Sequence, residues 1–114
     1  MSFFDSDVVR AEMTEISELQ EDVYRNVFKF PSMNKEEKKF HVGMLERLLD
    51  KQRILYTRLS LSDDPEAQEM KKRIVESASM MGLPPNVDMS TIFTNMQKML
   101  VAMRNQIDIT GSDR

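Results

Sequence analysis

Apolar side chains recur three and four residues apart along most of the chain, the period of one face of an α-helix. In the first stretch Val9, Met13, Ile16, Gln20, Val23 and Val27 form a heptad seam with one polar member, Gln20. Asp5 can cap this helix by accepting from first-turn N–H groups, with Phe4 and Val9 placed as a hydrophobic staple. Pro31 ends it, because its ring cannot continue the hydrogen-bond ladder. The spacing therefore predicts a helix over about 5–29.

Asn34 and Glu37 stand three apart, the pattern of a capping box, and open a second helix that reaches about Leu61. Its seam is Leu45, Leu48, Gln52, Leu55 and Leu59, with Leu49 and Tyr56 widening the stripe. At 1.5 Å per residue it is a rod of roughly 42 Å. The link FPSMN is short, so the two rods are expected to form an antiparallel hairpin.

A third helix, about 65–81, starts at Asp64 as cap with Pro65 in the first helical position. Met70, Ile74, Ala78 and Met81 share its face. Gly82 can take the left-handed conformation that stops it, Leu83 can fold back towards Ala78, and Pro84 and Pro85 make the break firm. A fourth helix, about 89–107, opens at Asp88 or Ser90 and carries Ile92, Phe93, Met96, Met99, Leu100, Met103 and Ile107. Residues 108–114 are expected to fray. The fold class is all-α: one domain over 1–114, a long helical hairpin followed by two shorter helices.

Both rods are long for a chain of 114 residues. Long heptad seams interrupted by polar residues can specify register or oligomer state, so a homo-oligomer, most simply a dimer, is expected. The alternative for Gln20 and Gln52 is that they lie at the edge of the stripe and touch water.

Composition sharpens this picture. Hydrophobic residues make up 40% and charged residues 31%, a globular balance, and the few glycines and prolines favour helix. There is no cysteine, which removes disulfides and thiolate chemistry. No basic n-region precedes an apolar run at the start, and no 18 apolar residues come in sequence, so a cytoplasmic protein that does not enter a membrane is expected. Net charge is −3, unevenly placed: residues 1–28 hold seven acids and two bases, residues 34–61 four acids and seven bases. Two such helices suit side-by-side packing.

Met96, Met99 and Met103 align on one helical face and admit three readings. Thioethers can hold copper(I), but copper sites usually add His or Cys, and the one histidine is far away in sequence. They can form an adaptable surface for a partner, or simply pack. Ile92, Phe93 and Leu100 share or adjoin the face, which favours a packed, adaptable apolar helix over a metal site.

His41 could serve as a general base, but no neighbouring residues complete a catalytic set. The carboxylates follow an outer face or the helix caps, with no Glu-x-x-His motif of the di-iron kind. No catalytic residue, cofactor or metal site is assigned. Arg47, Lys51 and Arg58 lie on one side of the second rod and could contact phosphate. The acidic total and the lack of aromatic–basic interleaving make neutralisation of the acidic helix the simpler reading.

The segments SFFDS, FPSMNKEEK, LYTRLSLSDDPEA and MGLPPNVDMSTIFTNM resemble a family of small proteins of unknown function from cyanobacteria and the myoviruses that infect them. The resemblance runs nearly end to end, and the later segments are closer to the viral branch. It implies a cytoplasmic protein of the host or of its phage during infection, and it transfers no functional residue. The expectation is a non-enzymatic adaptor or regulator that docks on a host protein, with Phe93, Met96, Met99, Met103 and Tyr56 as contacts. The alternative is a nucleic-acid-associated factor that uses Arg47, Lys51 and Arg58.

Overall fold

A computed structural model describes residues 2–80, 82 and 88–110. Four helices, α1 (Asp7–Asn26), α2 (Lys35–Leu61), α3 (Pro65–Met80) and α4 (Met89–Thr110), make an all-α fold, with no strand among the described residues. Two 3-10 turns, Phe3–Asp5 and Val27–Ser32, flank α1. Met81, Leu83, Pro84 and Pro85, and the contacts expected of them, lie outside the described residues.

The first helix is shorter than its pattern predicts at both ends. Asp5 does not cap it. Its carboxylate accepts the Ser2 N–H at 3.2 Å, closing the first 3-10 turn, and Ser6 caps α1 through the Val9 N–H at 3.4 Å. At the other end Pro31 acts upstream of itself. In an α-helix its ring would clash with the carbonyl four residues earlier, that of Val27, and α1 stops at Asn26. The Asn26 side chain also donates to the Asp22 carbonyl at 2.7 Å.

The capping box of α2 forms as the spacing predicts, with Glu37 N–H to Asn34 at 2.9 Å and Asn34 N–H to Glu37 at 3.0 Å. Asp64 caps α3 through the Glu66 N–H at 2.9 Å and accepts the Phe3 N–H as well, tying the N-terminal turn to α3. These two backbone donors hold its carboxyl below the usual range. Gly82 takes φ +98°, a conformation that glycine allows without strain, two residues past the end of α3. Asp88, rather than Ser90, starts α4, which continues past Ile107 to Thr110 where a frayed tail was expected.

α2 is the centre of the molecule, and it has two apolar faces. Leu48, Leu55 and Leu59 join Val9, Ile16 and Val23 of α1 and Ala67 of α3 in one core. Leu49 joins Met89 and Phe93 of α4 in a second, with Tyr56 packed against it. What reads in the sequence as one widened stripe therefore serves two cores. Ile74 of α3 packs against both cores.

Ion pairs fix the directions. Glu12–Arg58 (2.7 Å) and Glu15–Lys51 (2.5 Å) make α1 antiparallel to α2, and Glu46–Arg104 (2.5 Å) and Lys39–Asp108 (3.1 Å) do the same for α4. The acidic rod and the basic rod meet as their charges suggest. The contact of Arg58 Nε with Glu12 is an ion pair without hydrogen-bond alignment. The molecule extends over 54 × 32 × 19 Å with a radius of gyration of 16.3 Å, against about 13 Å for a compact domain of this length. It is flat and long, so much of each helix stays at the surface.

His41 is 3% exposed, beside the Phe30 ring (centroids 5.4 Å apart), and its Nδ1 has no hydrogen-bond partner. Burial lowers its pKa, because desolvation penalises the imidazolium. The unfolded chain therefore takes up a proton before the folded one does. Stability is expected to fall as pH drops from about 6.5, the ordinary histidine value, towards the lower folded value. Urea titrations between pH 7 and pH 5 on the native chain and on His41→Leu should show this slope only in the former. An equal slope in both would mean that His41 is not its source.

Candidate interaction surface

An apolar groove of about 460 Å³ opens where all four helices meet. α1 lines it with Met13, Ile16, Ser17 and Gln20, and α2 with Gln52, Leu55 and Tyr56. α3 contributes Met70 and Ile74, and α4 contributes Met89 and Phe93. No charged side chain lines it, and its size falls in the range of binding clefts.

Gln20 and Gln52 face this groove, half-buried, one from each rod. Neither amide hydrogen-bonds to another described side chain. The polar members of the two seams thus sit at an open wall within the single chain, where water reaches them. A glutamine there can offer both a donor and an acceptor to whatever enters.

The five expected contact residues divide into three situations. Tyr56 and Phe93 come together, with ring centroids 5.9 Å apart, and both line the groove. Phe93 is only 9% exposed, so most of its ring serves the core. Burial also raises the Tyr56 hydroxyl pKa, although a bond to Ser60 works the other way. Met96 and Met99 continue α4 beyond the groove and are exposed, 43% and 61%. Met103 is half-buried. The methionine stretch is accordingly packed on one flank, through Met89, and open on the other.

The candidate phosphate contacts are placed differently. Lys51 and Arg58 are engaged by Glu15 and Glu12 of α1. The Lys51 hydrogen bond and charge hold Glu15 below its usual carboxyl range. Arg47 lines a shallow cleft with Glu15, Glu18, Glu21 and Asp22. The basic side of the second rod is therefore overlaid by the acids of the first.

Sequence reasoning missed Ser17, Met70, Ile74 and Met89 as groove residues. Each sits on an ordinary helical stripe, and only the meeting of four helices gathers them. It also missed three exposed aromatics near the hairpin turn, Tyr24, Phe28 and Phe40. Their positions off the heptad seams were a signal that could have found them. Among the described residues no group of three or more His, Asp or Glu is placed to hold a metal ion, and no helix is long and apolar enough to cross a membrane.

No curated protein and no solved structure matches the chain. A family model for a domain of unknown function, DUF1825, matches residues 1–107. The chain belongs to the DUF1825 family.

Proposed function

We propose that this protein is a non-enzymatic protein–protein interaction module, an adaptor or regulator of a host protein in a cyanobacterium or during cyanophage infection. Its groove receives an amphipathic helix of the partner. The observation that carries this reading is the groove's lining: apolar side chains from four helices, two glutamine amides, and no charge. Helices recognised in this way insert large apolar side chains at three- and four-residue spacing, and the amides would fix their register. Tyr56 and Phe93 form one wall, and Met96, Met99 and Met103 offer an adaptable continuation.

Other features support the same reading. Glu12 and Glu15 are held in ion pairs, Asp64 in a cap and His41 in packing, so these groups are committed to structure. The pairing of Lys51 and Arg58 favours docking on protein over phosphate contact.

The test is retention of cyanobacterial proteins on the tagged chain, native against Ser17→Arg. Ser17 is exposed at the groove wall, so arginine obstructs the groove without entering the core. One protein held by the native chain at high salt and after nuclease, and lost from the variant, is the expected result. Retention that disappears with salt or nuclease would move the function to Arg47, Lys51 and Arg58, because phosphate contacts weaken steeply with salt.

A further inference from the structure

At the hairpin-turn end a second cleft, about 510 Å³, lies between the end of α1 and the first turns of α2. It shares no residue with the apolar groove. Three carboxylates line it, Asp22 from α1 and Glu36 and Glu37 from α2, and no basic side chain does. Bases close by in sequence are engaged: Arg25 pairs with Asp22 at 3.3 Å, Lys39 pairs with Asp108 at 3.1 Å, and Lys38 stands over the Phe30 ring. The carboxylates are only partly satisfied. Asp22 meets Arg25 through Oδ1, Glu37 accepts the Asn34 N–H through Oε1, and Glu36 is exposed with no ion pair to a described residue.

Carboxylates alone would be a solvated surface, and His41 is what sets this cleft apart. The imidazole lines it, is 3% exposed, and has an Nδ1 without a hydrogen-bond partner among the described residues. Packing fixes the ring but does not satisfy that nitrogen. A buried polar atom left unpaired carries its full desolvation penalty, and native structures keep few of them. Burial also favours the neutral ring, which has a lone pair free to accept a hydrogen bond from a cation.

The kind of cation follows from the rest of the lining. Asp22, Glu36, Glu37 and His41 share the cleft, yet no three of them are gathered closely enough to hold a metal ion. Met33, Phe40 and Met44 complete much of the wall. Negative charges set apart on a partly apolar wall match positive charges set apart on an aliphatic chain. We infer that this cleft binds a linear aliphatic polyamine, whose ammonium groups meet Glu36 and Asp22 and donate to His41 while its methylenes lie on Met33, Phe40 and Met44. The Phe40 ring can attract an ammonium through its face, and the thioethers adapt to a flexible chain. A single ammonium, such as a lysine side chain carries, would leave one of the two carboxylates unmatched.

His41 is the only histidine of the chain, so its ring signals in a proton–carbon NMR spectrum report on this cleft alone. Putrescine is titrated at constant ionic strength into the native chain, Glu36→Gln and Glu76→Gln, with circular dichroism to establish that each is folded. Glu36 and Glu76 are both exposed, and Glu76 lies on α3, away from the cleft. Nα-acetyl-lysine amide, which carries one ammonium, is titrated in parallel. Putrescine should move the His41 signals to saturation in the native chain and in Glu76→Gln alike. Binding should be roughly tenfold weaker for Glu36→Gln, and roughly tenfold weaker for the lysine derivative on the native chain. Unmoved or unsaturable His41 signals would overturn the inference, as would equal binding to Glu36→Gln or equal weakening in Glu76→Gln. A lysine derivative that binds as tightly as putrescine would also overturn it, and would assign the cleft to a lysine of a protein. None of these results bears on the Ser17→Arg experiment, whose readout is the groove.

Discussion

Replacing Leu59 with alanine is expected to remove about 2–5 kcal/mol of stability, a large part of what a domain of this size possesses. Leu59 has no exposed surface and lies in the core where α1, α2 and α3 meet. Removing its outer carbons leaves a cavity bounded by three elements that cannot all collapse inward. The local backbone is also committed: the Leu59 carbonyl accepts the Ser62 N–H at 3.3 Å, closing the end of α2. Leu61, two residues on, is 81% exposed, and Leu61→Ala should change stability by less than about 0.5 kcal/mol. Urea unfolding of the two variants reads the contrast directly. A Leu59 variant as stable as the Leu61 variant would contradict the packing of α1 and α3 on this end of α2.

The second large effect separates scaffold from contact on α4. Phe93→Ala is expected to cost about 3–5 kcal/mol, since its ring is packed with Leu49, Met89 and Tyr56. Met99→Ala, two turns along the same helix, should cost no more than about 0.5 kcal/mol. Thermal melts of both would show whether α4 is anchored through its Phe93 face. Equal, small effects would mean that α4 does not pack on α2 as described. It follows that a loss of partner binding in Phe93→Ala would be ambiguous, whereas one in Ser17→Arg or at Met96 would not.

Much of this architecture is legible because it is local. Asn34 and Glu37 find each other across one turn, and Asp64 and Asp88 reach N–H groups two residues away. Such interactions involve only residues adjacent in sequence, so residue type and spacing suffice to read them. The break at Asn26 was legible in the same way, had Pro31 been read as acting on Val27 four residues earlier. The start of α1 was less so: Asp5 and Ser6 are both good caps, and the competing 3-10 turn of Ser2–Asp5 took the first.

The heptad seams were also readable, but their partners were not. Periodicity says that Leu48, Leu49, Leu55 and Tyr56 are apolar neighbours on a rod. It does not say that Leu48 and Leu55 meet α1 while Leu49 and Tyr56 meet α4. Likewise the charge asymmetry pointed to α1 against α2, and Glu15–Lys51 and Glu12–Arg58 realise it. No comparable asymmetry marks α4, whose near neutrality says nothing about which rod it joins.

By itself, then, the sequence determined four helices, the caps of α2 and α3, the antiparallel hairpin and the pairing of its charges, because turn-scale hydrogen bonds, proline sterics and 3.6-residue periodicity act within a few residues of each other. The tertiary structure alone decided that α2 serves two cores, that Gln20 and Gln52 open onto one groove, and that Phe93 is packed while Met99 is exposed. Those outcomes depend on contacts between residues tens of positions apart. A helical stripe can present the same side chains to any neighbour, and only the packing of all four helices selects which one.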